Sequence, residues 1–346
     1  MSIDLRAYSD RSIFDKEITS LFAQRLFVGT VADFPEQDSY RSFSIGKKVV
    51  TVRQTTDGIK AFSNVCLHRS NIIDPPGEGN RHFSCGFHGW SYDSNGELYL
   101  TPFTDKNCVK QRTLTTFPVA ESAGLVFVGL STETPRTDRI PAALEKMGVT
   151  VNAPFHKEQM LHQCNWKLLV ENILESYHLN FVHRNTFLRS GFTSSSTHQW
   201  EANEYINMAS ITPLPNTDKT KAIRRLAKDA THIYRHAYIF PNLFISNTND
   251  LVGFVSHVMP VDEKTTLLSW ELFELPQLTV LPEAIRKHLR EEAISFSQIT
   301  LAEDKCMVES CQIGIASDMR SMQLQPVEDR VSQFHDYYNR CMTHAQ

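Results

Sequence analysis

The chain has 346 residues, 41% of them hydrophobic, and a formal net charge of −4. That length makes two domains the natural expectation, with apolar content enough for two cores. The charge balance leaves no basic footprint for nucleic acid, and nothing approaches the ~18 consecutive apolar residues that a spanning helix needs.

The longest apolar run, 123–130, is only strand-length. Asp4, Arg6, Asp10 and Arg11 stand where a signal peptide needs an apolar core, so none is expected and a cytoplasmic location is. The seven cysteines are odd in number and scattered. Cys108, Cys164, Cys306, Cys311 and Cys341 read as reduced thiols of a cytosolic protein.

In chain order, the first predicted element is a helix over 12–23. Ser12 with Asp15 resembles a capping signal, and Ile13, Phe14, Ile18, Leu21 and Phe22 form its apolar face. From Leu26 to Leu130 the pattern shifts to short strands, with 49–53, 59–62 and 125–128 rich in β-formers. Asp57-Gly58 and Asn95-Gly96 supply hairpin turns. The stretch 131–152, rich in Thr, Pro and charge, reads as a linker. A helix is predicted over 165–183, then strands over 205–211, 232–240, 251–258 and 265–273. The helical period returns at Pro282, which suits the first helical position, and Ile285, Leu289, Ala293 and Phe296 share a face. Thr300 to Glu303 reads as a capping box that restarts the helix. Strands followed by terminal helices argue an α+β class.

The most informative stretch is Cys66-Leu67-His68-Arg69, followed further on by Cys85-Gly86-Phe87-His88-Gly89-Trp90. Two thiolates and two imidazoles can hold an asymmetric [2Fe–2S] cluster. They also suit a tetrahedral zinc ion, or could be four unrelated core residues. The pattern C-x-H-R, then C-x-x-H-G-W-x-Y, resembles the Rieske non-heme iron oxygenases. Arg69 and Gly89-Trp90-Ser91-Tyr92 carry that resemblance beyond the four candidate ligands. It implies a [2Fe–2S] cluster held by Cys66, His68, Cys85 and His88 in a small β-sandwich. Respiratory-chain Rieske proteins have a disulfide between the two loops, but the matching positions here are Asn71 and Phe87. Trp90 replaces a serine that bonds a cluster sulfur in those proteins. Fewer donors place the potential towards the low end of the roughly −150 to +300 mV range of such centres. Ser70 departs from the family's usual Gly and leaves the backbone of that loop open.

A second constellation is Glu171-Asn172-Ile173-Leu174-Glu175-Ser176-Tyr177-His178, leading into Leu179-Asn180-Phe181-Val182-His183. On a helix Glu175 and His178 would share a face. His178 and His183 can converge only if the helix ends or bulges near Asn180. Two His and one carboxylate on one face of an iron leave positions open for O₂. Exposed histidines on an amphipathic helix are the bland alternative. Behind the first motif, with Asn165-Trp166-Lys167 and Glu171-Asn172 upstream, the segment resembles the oxygenase catalytic helix. The resemblance implies that His178, His183 and Asp304 bind a mononuclear non-heme Fe(II), with Glu303 and Glu309 as fallback carboxylates. A first-turn Asp304 would also favour the helix dipole. Asn172 and Glu175 are the implied catalytic neighbours. Glu175 would bond His178 and touch His88 of a neighbouring subunit in a head-to-tail homotrimer.

The resemblance further implies four segments: an N-terminal helix at 1–25 packing on the catalytic domain, a Rieske domain at 26–130, a linker at 131–152 and a catalytic domain at 153–346. The catalytic domain would be an antiparallel sheet gripped by helices. Its expected activity is insertion of one or both atoms of O₂ into a small organic substrate. Electrons would come from NAD(P)H through a flavin and iron–sulfur reductase, with or without a ferredoxin, because the chain has no dinucleotide fingerprint of its own. The less common Glu at 175 resembles the subset that oxidises quaternary ammonium compounds such as carnitine. A rival of another class is an electron carrier with an inert second domain. Phe181, Trp200, Tyr205, Tyr238, Phe240, Phe244 and Phe254 are the candidate pocket walls, suited to an aromatic ring or a cation.

Overall fold

The computed structural model describes residues 2–103, 112–214, 230–231, 233–318 and 321–343. Cys108, named above, and residue 232, the first of one expected strand, lie outside them. The chain forms two compact units: Phe22–Asp138, and Met1–Leu21 together with Arg139–Gln346.

The described residues of the unit Phe22–Asp138 are mainly β, with one short 3-10 turn at Val31–Asp33. Its strands are β1 (Leu26–Thr30), β2 (Ser39–Ile45), β3 (Lys48–Thr55), β4 (Gly58–Ser63), β5 (Gly77–Asn80), β6 (Ser91–Tyr92), β7 (Leu98–Leu100), β8 (Thr116–Phe117), β9 (Val119–Ser122) and β10 (Leu125–Val128). One sheet has the order β5-β2-β3-β4-β8, another β1-β10-β9, and β6 pairs with β7. The β3–β4 hairpin pairs Thr55 with Gly58, so Gly58 opens β4 with a φ of +106° that a side chain would resist. Two loops leave these strands, one after β4 and one after β5. Isolated bridges pinch each of them, Val65 to Ile72 and Ser84 to Ser91.

The other unit is built on a seven-stranded antiparallel sheet. Its strands are β11 (His156–His162), β12 (Thr197–Ala202), β13 (Ile206–Thr212), β14 (Tyr234–Ile239), β15 (Leu243–Thr248), β16 (Val252–Asp262) and β17 (Thr265–Glu274), in the order β11-β17-β16-β15-β14-β13-β12. Helices Trp166–Leu174, Glu283–Ser317 and Asp329–Thr343 pack with it. The class is α+β, as the order of elements predicts.

Several local expectations change. The first helix is Arg11–Glu17, capped by Asp10, whose carboxylate accepts the N–H groups of Ser12 and Ile13. Ser12 and Asp15 are not its cap, and the helix gives way to a wider turn over Ile18–Phe22. The stretch read as a linker contains a helix, Ile140–Met147, ended by Gly148 in a left-handed conformation. The helix Glu283–Ser317 runs unbroken, so Thr300 to Glu303 restarts nothing. Its buried positions Thr300, Asp304, Val308 and Gln312 recur every fourth residue, the stripe by which a helix faces a core. That stripe points Asp304 inward from the middle of the helix, so the first-turn dipole argument does not apply.

A buried polar network ties Arg11–Glu17 to the helix Trp166–Leu174. Glu17 faces the Lys167 ammonium at 2.6 Å, and both side chains are fully buried. It also accepts the Trp166 indole N–H at 2.8 Å and the Tyr338 hydroxyl at 2.5 Å. The further donors on Glu17 and the rings of Tyr8, Trp166 and Tyr338 around the Lys167 ammonium offset part of the desolvation of such a pair.

Candidate metal centres

The two pinched loops of the β unit repeat one geometry. Cys66 N–H donates to Asn71 O at 2.8 Å and Ser70 N–H to Cys66 O at 3.0 Å; Cys85 N–H donates to Trp90 O at 2.8 Å and Gly89 N–H to Cys85 O at 2.9 Å. Ser70 and Gly89 therefore hold equivalent turn positions, with φ of +58° and +70°. Ser70 adopts the left-handed conformation that the family's Gly would, a strained choice for a residue with a Cβ.

Both cysteines are buried in a small core with Phe62, Phe83 and Tyr92, while His68 and His88 are exposed. Their Nδ1 atoms face each other 3.1 Å apart. Trp90 stacks on His68 with ring centroids 4.7 Å apart. The Tyr92 hydroxyl donates to Cys66 Sγ at 3.2 Å, and the Asn71 amide to Cys85 Sγ at 3.5 Å. Burial pushes the Cys66 thiol up. At Cys85 burial is outweighed by the Phe87 N–H and the Asn71 amide, which hold the thiol below its usual range. Two buried sulfurs with donors, opposite two convergent imidazoles, are the donor set of an asymmetric iron–sulfur cluster.

The second centre starts at a helix end. Asn165 caps Trp166–Leu174 by accepting the Lys167 N–H at 3.0 Å. The helix stops at Leu174, earlier than the expected break near Asn180, and Glu175 is extended with φ −117° and ψ 160°. A tighter turn, Tyr177–Asn180, follows. Glu175 accepts the N–H groups of Tyr177 and of His178, which starts that turn, and also bonds His178 Nδ1. Its contact with His178 thus arises across a helix break, not from a shared helix face.

The break lets both imidazoles turn their Nε2 atoms to one point. Asp304 Oδ1 lies 3.6 Å from His178 Nε2 and 3.0 Å from His183 Nε2. The ligand atoms of the three residues all fall within 4.8 Å of one another. Among the described residues Asp304 Oδ1 is buried with no hydrogen-bond partner. Its approach to His183 brings the two atoms close without a hydrogen bond. An orphaned carboxylate oxygen facing two imidazole nitrogens fits a metal ion, and two His with one carboxylate fit non-heme iron. Burial opposes charge on His183, but Asp304 and Glu303 outweigh it and hold the imidazole above its usual range.

The fallback carboxylates do other work. Glu303 bonds His183 Nδ1 at 2.8 Å and accepts the Thr186 hydroxyl at 3.0 Å. Glu309 pairs with Lys305 and accepts the Gln163 N–H at 2.7 Å. Each histidine therefore has a glutamate on its outer nitrogen, Glu175 on His178 and Glu303 on His183. Sequence reasoning missed the role of Glu303, because no spacing rule links it to a residue 120 positions earlier.

Residues 151–344 match the family of ring hydroxylating alpha subunits (catalytic domain). The chain belongs to that family. Residues 24–118 match the Rieske [2Fe-2S] domain. The family's cofactors, a Rieske cluster and a mononuclear non-heme iron, are those whose donor sets are present.

Among relatives, the chain is 30% identical to the glycine betaine monooxygenase oxygenase subunit of Chromohalobacter salexigens, over 51% of this chain and 42% of that protein. It is 26% identical to the putrescine 2-hydroxylase of Ralstonia nicotianae, over 98% of this chain and 95% of that protein. The chain thus spans under half the length of the betaine relative. Among solved structures, the quaternary ammonium Rieske monooxygenase CntA in complex with an inhibitor has a TM-score of 0.78 at 19% identity, covering 99% of this chain and 95% of that one. Naphthalene 1,2-dioxygenase with indole bound has a TM-score of 0.77 at 21% identity, covering 99% of this chain and 92% of that one.

A cavity of about 590 Å³ opens beside the His178, His183 and Asp304 triad, a size that suits a small organic ligand. Asn172 lines it. Of the seven candidate wall residues only Phe244 and Phe254 do. Phe181 is exposed, Trp200 donates to Asp329, and the Tyr205 hydroxyl accepts the Arg139 N–H. Tyr238 donates to Pro241 O, and Phe240 packs on Tyr337. Phe187, Phe192, Tyr234 and Phe296 supply aromatic walls instead. An aromatic residue reads the same in sequence whether it fills a core or faces a void.

Proposed function

We propose that this chain is the terminal oxygenase component of a Rieske-type system, inserting one or both atoms of O₂ into a small organic substrate. Electrons come from NAD(P)H through a separate flavin and iron–sulfur reductase. Cys66, His68, Cys85 and His88 hold the cluster; His178, His183 and Asp304 hold the iron. Bound there, the two groups supply single electrons and O₂ activation.

The chain's own residues do the rest. Glu175 and Glu303 fix the ring orientation of the two histidines and strengthen them as ligands. The apolar cavity excludes water from the reacting carbon and positions it. The observation that carries this reading is the convergence of three ligand atoms at the wall of a cavity. An electron carrier with an inert second domain would need neither feature.

A homotrimer with transfer between subunits completes the proposal, in the cytoplasm. Exposed rings support it: Phe87 beside His88 on one unit, and on the other Tyr177, whose N–H bonds Glu175, with Phe181 against its ring. Exposed apolar residues grouped at a functional surface suit a partner. A narrower alternative is a monooxygenase of quaternary ammonium compounds, supported by Glu175 and by the betaine relative.

The test is iron content and isotope incorporation. Purified protein should be red-brown and contain about three irons per chain, two in the cluster and one at the triad. With an NADH-fed reductase and a substrate panel, ¹⁸O₂ should label the product. A cluster-only protein with about two irons and no label from any substrate would overturn the reading.

A further inference from the structure

The cavity has a second polar end. From the triad, the aromatic wall runs His183 to Phe187 at 5.5 Å between ring centroids, then Phe187 to Tyr234 at 5.9 Å. Tyr234 stacks on His236 at 6.2 Å and 11°. Beyond it lies Arg330, whose Nη2 donates to His236 Nδ1 at 3.2 Å. Its Nε donates to Asn207 Oδ1 at 2.6 Å. His198, His236 and Arg330 all line the cavity.

This end is under-satisfied. Arg330 is only 3% exposed, and no carboxylate among the described residues lies within ion-pair distance of its guanidinium. Its sequence neighbour Asp329 is exposed and accepts the Trp200 indole N–H and the Arg330 backbone N–H. Because His236 Nδ1 accepts from Arg330, its proton sits on Nε2. Among the described residues that atom is buried without a partner, as is His198 Nε2. Burial pushes the Arg330 guanidinium down to about 10, still cationic at neutral pH. Burial also holds His236 well below its usual range and neutral, with repulsion from Arg330 adding to it. A buried cation with no carboxylate in contact is costly.

We infer that the end of the cavity formed by Arg330 and His236 is a carboxylate subsite, and that the substrates are organic acids whose apolar part runs along Phe187 and Tyr234 to the triad. The inference rests on the proposed function in placing the reacting carbon at the triad. A carboxylate is the ligand that uses what is present. Its oxygens are planar acceptors for the edge of the guanidinium that His236 and Asn207 leave open, and its charge neutralises Arg330. The alkyl or aryl remainder meets the apolar wall. A simple cationic amine would leave Arg330 unneutralised and add repulsion.

Calorimetric titration of the metal-loaded protein without its reductase tests this apart from turnover. The probes are 2-phenylacetate, 3-phenylpropanoate, 4-phenylbutanoate and 5-phenylpentanoate, each with its primary amide and its primary amine. At the best-fitting length the acid should bind at least tenfold tighter than amide or amine. Arg330→Gln should reduce that preference to about twofold or less. His236→Phe keeps the ring stack, removes the acceptor that holds Arg330 Nη2 in place, and should reduce the preference several-fold; it serves if Arg330→Gln does not fold. Acids no tighter than amides at any length, absence of acid binding, or an undiminished preference in folded variants would overturn the inference. Acid preference without oxygen incorporation would instead count against the oxygenase reading alone. Turnover of a substrate with no carboxylate, bound independently of Arg330, would count against the subsite alone.

Discussion

Glu303 Oε2 sits 2.8 Å from His183 Nδ1, and the next residue, Asp304, presents Oδ1 3.0 Å from the opposite nitrogen of the same ring. Two adjacent carboxylates on one helix thus grip one imidazole from both sides. The outer one fixes the tautomer, so that Nε2 keeps a lone pair for a metal. Glu303→Ala should lower iron affinity by about 10–100-fold and leave the cluster spectrum unchanged. Iron titration of the apo triad, followed by metal analysis, reads this directly. An unchanged affinity would show that Glu303 is a bystander.

Asp304 should behave differently from its neighbour. Asp304→Ala removes a ligand atom, so the triad should lose its iron while the protein stays red-brown. Asp304→Asn keeps an oxygen in place but no charge, and should retain a fraction of the iron. Full occupancy and activity in Asp304→Ala would displace the carboxylate assignment. Neither fallback carboxylate is then placed to substitute, because Glu303 faces the outer nitrogen of His183 and Glu309 is engaged with Lys305 and Gln163.

The cluster's potential is a case where the sequence was only half legible. The absent loop serine, with Trp90 in its place, argues for few donors and a low potential. The structure adds Tyr92 on Cys66 Sγ and Asn71 on Cys85 Sγ, and each stabilises the electron-rich reduced state. Tyr92→Phe should lower the reduction potential by tens of millivolts, a small part of the roughly 450 mV that Rieske centres span. Asn71→Leu should lower it less, since its bond is longer. Spectroelectrochemistry separates this from a purely structural role, which would change cluster content and leave the potential alone.

The Glu17–Lys167 pair carries a stability prediction. Both side chains are fully buried. Removing one leaves the other charged and unpaired, and Glu17→Ala also strips Trp166 and Tyr338 of an acceptor. Either Glu17→Ala or Lys167→Met should cost about 3–5 kcal/mol, measured by urea unfolding. The double replacement Glu17→Leu with Lys167→Met should recover part of that, because no isolated charge remains. Costs that simply add would mean that the two groups are not coupled.

What the sequence made legible was local and chemical. Cys66, His68, Cys85 and His88 lie in two short loops of fixed spacing, and His178 and His183 lie five residues apart, so ligand chemistry could be read from them directly. Asp304 came from a family resemblance, and its position within the helix came out differently: mid-helix on a buried stripe, not in a first turn. What was illegible depends on distant strands and helices. Glu303 against His183, and Arg330 against His236, are joined only by the fold. The pocket walls failed for the same reason. Tyr234 and Tyr238 share one face of the same strand, yet of the two only Tyr234 lines the cavity.

Glu175 carries the last prediction. It starts the turn that bears His178 and bonds the ring of His178, yet its side chain remains 12% exposed. In the proposed trimer that exposed edge meets His88 of a neighbouring copy. Glu175→Gln should load both metal centres and accept electrons from the reductase at the cluster. Cluster re-oxidation in single turnover should then slow by at least tenfold, because an amide is a poorer partner for two imidazoles than a carboxylate. A mixing experiment tests the geometry without touching Glu175. Cys85→Ala lacks the cluster and His178→Ala lacks the iron, so neither turns over alone. In trimers reassembled from both, an intact cluster on one chain adjoins an intact iron on the next, and activity should return. Verified mixed trimers that stay inactive would rule out transfer between subunits, and would confine Glu175 to orienting His178 within its own chain.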